Sequence, residues 1–270
     1  RGKDFIIKKI PNIYRQFIET QMLDISKEAM EIAPTAHYSM GGVLISASDH
    51  STSIKGLFAA GEVAGGWHGA NRLGGNSLAE ILIFGRRAGK ASVSYSKNLN
   101  HQKRSQEAIN NANKNILKFQ KRGDELPMVL LNNLREVMWE FCGVRRSEEL
   151  LKIGLTKIRE IKNKVNKIDV NVYPHNCQDL IAAFDLESSV ISSEATILTA
   201  LKRKESRGSH QRSDYPKLNT KENYNIKVKL NDKTNNLILS KLPQNKLRND
   251  LKVLLKHSKR INSIKDKLLE

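Results

Sequence analysis

Residues 65–78 read GGWHGANRLGGNSL, a run of glycines around a single arginine, Arg72. Glycines allow tight turns and let the backbone come close to a ligand. The planar guanidinium group of an arginine can hold a carboxylate through two parallel hydrogen bonds. A helical pattern starts near Ser77, and a helix N-terminus offers free amide groups and the positive end of a dipole. This stretch therefore predicts a loop that binds a carboxylate beside the start of a helix.

Two segments upstream of this loop also combine glycines with a histidine or a carboxylate. His37 opens the run HYSMGG, a pattern that by itself is more typical of a structural histidine. The run KGLFAAGE at 55–62 predicts a short buried strand that ends at the carboxylate of Glu62. Small side chains there would let a flat or sugar-bearing cofactor lie close, and the carboxylate could accept hydrogen bonds from its hydroxyls. Because burying a lone carboxylate is costly, a polar ligand would explain Glu62.

Composition indicates a soluble globular protein. The 270 residues are 39% hydrophobic, which is enough for one large domain or two to three small ones. No apolar run approaches the roughly 20 residues that span a bilayer, and no signal peptide is visible, so we expect membrane contact only through a partner. The chain starts at Arg1, and its opening residues read as the middle of a fold, which favours a piece of a longer protein.

The two cysteines, Cys142 and Cys177, lie in unrelated contexts without CxxC or histidine spacing. This arrangement predicts neither a zinc site nor a disulfide framework, and we expect no metal in this chain. Buried or unreactive thiols in a reducing compartment are the simplest interpretation.

The net charge of +18 is concentrated at the end of the chain. Residues 201–270 hold 19 Lys and Arg against 7 Asp and Glu, a net +12. Their lysines alternate with Asn and aliphatic residues, without the interleaved aromatic residues that stack on bases. A solvated basic face, or a docking surface for an acidic partner protein, is therefore favoured over nucleic-acid binding.

Apolar spacing predicts mostly helices in the second half of the chain. One helical pattern crosses a polar connector at 93–125, and from Pro127 to about Arg207 the apolar residues recur at helical intervals. Beyond Pro216, alternation from Tyr224 to Leu230 predicts a strand that could pair with the run Leu237-Ile238-Leu239.

Several residues near these motifs have a plain structural interpretation beside a functional one. His68 and His210 could act as catalytic bases, but loop shaping and a hydrogen-bond network are the better interpretations. Gly85 and Gly89 fall on one helix face, which predicts close packing of that helix on a sheet. We expect Arg86 and Arg87 to face solvent or a partner.

Taken in order, PTAHYSMGG, GLFAAGE and HGANRLGGNSLAE resemble the flavoprotein subunits of succinate dehydrogenases and fumarate reductases and the related L-aspartate oxidases. The later runs CGVRRSEELL and ESRGSHQRSDYP are similar to helical-domain signatures of the same family. The resemblance extends to about Pro216. It implies an α/β fold plus an all-α part: the C-terminal part of a Rossmann-like FAD-binding domain, then an antiparallel helical domain and a short C-terminal tail.

The resemblance also implies domain bounds. Residues 1–35 would end a capping domain, 36–97 would complete the FAD-binding domain, 98–215 would form the helical domain and 216–270 a basic tail.

Roles at the site follow from the same resemblance. His37 and Arg72 match the substrate-binding histidine and arginine that grip a dicarboxylate, while Glu62, Ser77 and Leu78 match positions that contact FAD. The arginine that shuttles the proton, and the dinucleotide fold itself, would precede Arg1, so no catalytic residue is assigned in this chain and we expect the piece alone to be inactive.

Two branches of the family, and a non-catalytic alternative, stay open. Gly74-Gly75 stands where aspartate oxidases usually show Ala-Ser, which favours succinate and fumarate over L-aspartate oxidation in NAD biosynthesis. An iron–sulfur subunit is the implied partner, in the cytoplasm or on the inner face of the cytoplasmic membrane. The tail lacks the Trp and His that many mitochondrial-type relatives carry, which leaves the electron acceptor open. A purely structural module with a functional basic tail is the alternative of another class.

Overall fold

In the computed structural model, the polypeptide divides into two units, Arg1–Ser39 and Met40–Glu270. The structure describes residues 2–33, 36–100, 103, 105–120, 123–171, 177–231, 233–244 and 248–254. The domain bounds predicted after residues 35, 97 and 215 stay predictions.

The first unit contains two short helices, α1 (Gly2–Lys9) and α2 (Pro11–Gln21). Proline suits the first turn of α2, because its fixed φ is helical and the amide it lacks would have no partner there. Met22 ends α2 in the left-handed conformation, with its N–H donating to the carbonyl oxygen of Ile18.

The second unit begins with an irregular stretch that leads into α3 (Asn76–Lys97). The buried strand predicted at 55–62 is wrong. Only an isolated antiparallel bridge joins Ser51 to Phe58, and Leu57 is 49% exposed. A strand needs a continuous neighbouring ladder for its backbone groups, and the described residues supply only single bridges here. The Rossmann-like part of the fold therefore stays a prediction, whereas α3 begins at the position that the sequence indicated.

A helical domain follows, as predicted. It comprises α4 (Gln106–Leu117), α5 (Pro127–Cys142), α6 (Glu148–Lys164) and α7 (Gln178–Lys202). Ser147 caps α6 by accepting a hydrogen bond from the amide of Leu150 at 3.2 Å, and two glutamates occupy the first turn.

The hydrophobic core lies among α5, α6 and α7, which all pack on one another. Its fully buried members include Leu151, Ile158, Leu186 and Ile197. Gly154 lets α6 approach its neighbours, because a Cβ there would lie 2.7 Å from Phe141 Cβ and 3.0 Å from Ile197 Cδ1. The helical spacing from 127 onward thus marked the buried faces of three real helices.

Two small sheets complete the described fold. A parallel pair joins β1 (Arg145–Arg146) to β2 (Gln211–Arg212), and an antiparallel hairpin joins β3 (Tyr224–Asn231) to β4 (Asn236–Pro243). The hairpin confirms the predicted pairing in the tail, with Val228 opposite Leu239. Asp232, between the two strands, lies outside the described residues. Among the residues that the structure describes, no helix has the length and hydropathy of a bilayer-spanning segment.

Candidate functional site

The glycine loop, residues 65–75, forms an open surface at the start of α3. A Cβ added at Gly66, Gly69, Gly74 or Gly75 would meet no atom within 4 Å. Gly75 is the N-cap of α3, and no side chain in the described ranges caps this helix. A ligand can therefore approach the loop backbone and the start of a 22-residue helix, where the amides of Asn76 and Leu78 already donate to the carbonyl oxygens of Leu73 and Gly75.

Arg72 lies at this helix start. Its side chain is half-buried, and its Nη1 donates a hydrogen bond to Ser77 Oγ at 3.3 Å. The guanidinium charge and the positive end of the helix dipole thus occupy the same place, where both favour an anion.

Glu80, a buried carboxylate of α3, lies against Gly61 and the glycine loop residue His68. Its side chain is almost fully buried; Oε1 accepts a hydrogen bond from the amide of Gly61 at 3.0 Å, and Oε2 lies 3.8 Å from His68 Nε2. Glu80 therefore ties the end of the GLFAAGE run to α3, and its second oxygen lies near the glycine loop at His68. Sequence reasoning missed this role, although Glu80 stands one turn after Ser77 and so on the same helix face.

An aromatic cluster fixes the loop on the other side. Trp67 stacks on Phe84 of α3 with ring centroids 3.9 Å apart, and the fully buried His50 stacks on Trp67 at 5.2 Å. Only the position of Phe84, four residues after Glu80, could have been inferred from helix periodicity. Residues His50 and Trp67 gave no sequence signal.

The paired glycines of HYSMGG allow a close backbone contact. Val43 donates to the carbonyl oxygen of Val63 at 2.7 Å, and a Cβ at Gly42 would lie 2.3 Å from that same oxygen. Gly42 also has a φ of +135°, which other residues rarely adopt. The glycine pair therefore has a structural reason of its own.

The segment after α7, residues 203–214 (the ESRGSH loop), contains a network of paired charged side chains. Glu205 is fully buried and is held by Arg203 and Arg207, while Arg212 pairs with Asp214 at 2.6 Å. The Arg212 guanidinium lowers the pKa of Asp214 to about 2.

His210 belongs to the same network rather than to an open cleft. Its Nδ1 lies 3.0 Å from Arg146 Nη1, and its Nε2 lies 3.2 Å from the carbonyl oxygen of Arg203. Burial is the main cause that lowers the pKa of His210 below its ordinary value. These contacts fit the predicted hydrogen-bond network better than the role of a catalytic base.

Two protein-family models match this chain. A family model described as FAD binding domain matches residues 2–78, and one described as Fumarate reductase flavoprotein C-term matches residues 131–256. One subunit of the fumarate reductase (CoM/CoB) of Methanothermobacter marburgensis is 39% identical over 215 residues, which cover 79% of this chain and 38% of that protein.

Two further matches are to a succinate dehydrogenase flavoprotein subunit and to a solved structure. The succinate dehydrogenase flavoprotein subunit of Coxiella burnetii is 32% identical over 227 residues, covering 79% of this chain and 39% of that protein. The structure of Sdh1 of Mycobacterium smegmatis in complex with UQ1 superposes with a TM-score of 0.84 at 34% identity, covering 93% of this chain and 43% of that one. The chain belongs to the succinate dehydrogenase/fumarate reductase flavoprotein family. It spans about two fifths of the length of these relatives.

The site residues expected from the flavoprotein pattern lie in different surroundings. Ser77 is half-buried beside Arg72, while Leu78 is 66% exposed at the rim of the helix start. Glu62 is exposed, so the predicted burial of this carboxylate is wrong for the described residues. The reason is that Gly61, not Glu62, turns inward to meet the buried Glu80. His37 is an exposed residue of the first unit.

One face of α3 in this flavoprotein chain is apolar and uncovered by the described residues. Leu82 is 74% exposed and Val93 55% exposed, and a Cβ at Gly85 or Gly89 would meet nothing within 4 Å. The close packing predicted for the two glycines is therefore not made within the described part of the chain. Arg87, on another face, donates to the carbonyl oxygen of Ser48 at 3.2 Å, and it is exposed as expected.

Of the two cysteines, Cys142 is buried and Cys177 is exposed. Burial raises the pKa of the Cys142 thiol. No group of three His, Cys, Asp or Glu side chains within the described ranges could hold a metal ion.

Proposed function

We propose that this chain is part of a flavoprotein that interconverts succinate and fumarate with FAD as its cofactor. The observation that carries the proposal is Arg72, held at the N-terminus of α3 by its hydrogen bond to Ser77 inside a loop of open glycines. Support comes from the match to the FAD binding domain and from relatives named as succinate dehydrogenase and fumarate reductase subunits.

The described residues fit the flavin. Bound FAD would accept or release the hydride. Around it, the positive end of the α3 dipole can stabilise electron density on a carbonyl edge, since no described side chain caps this helix start. Ser77 and Leu78 stand at this helix start, and the exposed Glu62 can accept hydrogen bonds from cofactor hydroxyls. The open glycines leave room for a flat ring against the backbone.

Arg72 is proposed to bind a carboxylate of the substrate. Its fork of donors matches a carboxylate in two parallel bonds, and its half-buried position strengthens that interaction relative to bulk water. The same task, gripping a dicarboxylate oxygen, is proposed for His37. Neither residue moves a proton in this proposal.

An iron–sulfur subunit is the proposed electron partner. Both named relatives are described as subunits, which supports an assembly of several chains. The basic hairpin offers a surface for an acidic partner, because Lys227 and Lys229 are exposed on one side of β3. Such a contact should weaken with salt. We place the protein in the cytoplasm, peripheral to the membrane through its partners.

The test is Arg72→Ala in the full-length, FAD-loaded protein, with Arg86→Ala as the matched control. Loss of a buried charge partner costs about 3 kcal/mol, so succinate oxidation should fall by roughly 10²-fold. Flavin absorbance per protein should not change in either variant, and Arg86→Ala should keep its activity because Arg86 is exposed.

Near-normal turnover of Arg72→Ala would overturn the assignment. A protein that oxidises aspartate with oxygen and ignores succinate would instead support the L-aspartate oxidase alternative.

A further inference from the structure

The ESRGSH loop donates hydrogen bonds to the glycine loop at the carbonyl oxygen of Ala70. Ser209 donates both its backbone N–H, at 2.9 Å, and its hydroxyl, at 3.0 Å, to this oxygen. The two residues are 139 positions apart in the chain. Two hydrogen bonds from one residue restrict both the position and the orientation of this carbonyl group.

The contact is also sterically demanding. Gly208 has a φ of +56°, and a Cβ at this position would lie 2.3 Å from the Ala70 oxygen and 2.8 Å from Ala70 Cβ. Any other residue would therefore push the two loops apart or strain its own backbone. Glycine is required here by a neighbour that belongs to the glycine loop.

The ESRGSH loop is stiff enough to act as a support. Arg207 and His210 exchange backbone hydrogen bonds at 2.8 and 3.0 Å, which closes a tight turn around Gly208 and Ser209. Both side chains then anchor the turn, since Arg207 pairs with the fully buried Glu205 and His210 contacts Arg146. The turn is thus fixed to the helical domain.

The supported atom lies two residues before Arg72. The residues between Ala70 and the start of α3 include Gly74 and Gly75, whose backbones can adopt more conformations than those of other residues. A shift of about 1 Å in a substrate-positioning group can cost roughly 10²-fold in rate. Holding the Ala70 carbonyl therefore limits how far the Arg72 guanidinium can move.

We propose that Gly208 and Ser209 are positioning residues that hold the Arg72 loop in its substrate-binding arrangement. The helical domain then acts on catalysis through one carbonyl oxygen. This inference rests on the proposed function, in which Arg72 binds a substrate carboxylate.

A matched pair of serine variants tests the proposal in the full-length, FAD-loaded protein. Ser209→Ala removes the hydroxyl bond to Ala70. Ser213→Ala removes an equivalent bond, because Ser213 donates its N–H at 2.8 Å and its hydroxyl at 3.2 Å to the carbonyl oxygen of Arg146, away from the glycine loop. Both changes cost one neutral hydrogen bond.

We expect Ser209→Ala to lower kcat/KM for succinate about fivefold, mainly through KM, and Ser213→Ala to leave it unchanged. Hydrogen exchange of the amides at 65–75 should become faster in Ser209→Ala alone, a readout that needs no turnover. Ser209→Thr, which keeps a hydroxyl, should restore both. Gly208→Ala should have a larger effect, and if that variant fails to fold, the serine pair still decides.

Equal effects of the two serine variants, or unchanged exchange at 65–75 in Ser209→Ala, would overturn the inference. Failure of the proposed function is distinguishable, because it appears as full activity of Arg72→Ala. If Arg72→Ala is inactive while Ser209→Ala is normal, only the positioning role falls.

Discussion

Glu205 offers the sharpest test of what holds the ESRGSH loop together. Its side chain is fully buried and accepts four hydrogen bonds. Arg203 Nη1 donates at 2.7 Å, Arg207 donates from Nε at 2.8 Å and from Nη2 at 3.1 Å, and the amide of Asn219 donates at 2.8 Å. Burial opposes ionisation of this carboxyl, but the bonds outweigh it and lower its pKa.

The magnitude follows from what Glu205→Ala leaves behind. Arg203 keeps hydrogen bonds to the carbonyl oxygens of Glu222 and Tyr224, and Arg207 keeps one to Asn219, so neither guanidinium loses every partner. Removing one member of a buried pair costs about 3–5 kcal/mol, and the surviving bonds place Glu205→Ala near 3 kcal/mol. Glu205→Gln keeps the volume and one acceptor oxygen, but it loses the charge and places an NH2 donor against the N–H donors that held the other oxygen, so it should cost nearly as much as Glu205→Ala.

The assay is hydrogen exchange of the last turn of α7 and of β2, followed by mass spectrometry in the full-length protein. A loss of about 3 kcal/mol in local opening free energy corresponds to roughly 10²-fold faster exchange. Glu187→Ala is the control, because its pair with Lys118 lies at the surface and is worth at most about 1 kcal/mol. Exchange in Glu205→Ala no faster than in the control would refute the reasoning.

Two further predictions concern the helical domain. Gly154→Ala should lower the thermal midpoint, because overpacking against Phe141 and Ile197 costs about 1–3 kcal/mol and outweighs the usual gain of alanine in a helix. The control Thr156→Ala, at an exposed position, should leave the midpoint unchanged, and an unchanged or raised midpoint for Gly154→Ala would contradict this packing. Because the pKa of His210 is lowered in the folded state, its contribution to the free energy of unfolding should be complete above the ordinary histidine pKa of about 6.5 and be lost as the pH falls below that value. Thermal midpoints measured from pH 7.5 to 5 should therefore fall less in His210→Gln than in the unchanged protein, and an equal fall in both would rule out His210 as the cause.

Local sequence patterns predicted much of the second half of the fold. The helical spacing after Pro127 corresponds to α5, α6 and α7, and the alternation from Tyr224 to Leu230 corresponds to β3. These elements could be predicted from the periodic spacing of apolar residues, because this spacing is visible in the local sequence without knowledge of the tertiary contacts. The start of α3 near Ser77 could be predicted for the same reason.

The strand predicted at 55–62 shows the limit of such reasoning. An apolar run such as KGLFAAGE is compatible with a strand, but a strand exists only where another strand satisfies its backbone groups. In the described residues that neighbour is absent beyond one bridge, so Leu57 is exposed and the run is irregular.

At the candidate site, the sequence determined which residue types are present, and tertiary structure decided which of them meet. The motifs marked Arg72 and the glycines directly, because a turn and a helix start are local features. The buried carboxylate Glu80 and the contact of Ser209 with Ala70 join residues 19 and 139 positions apart. Such contacts depend on how whole elements pack, and no local spacing encodes them.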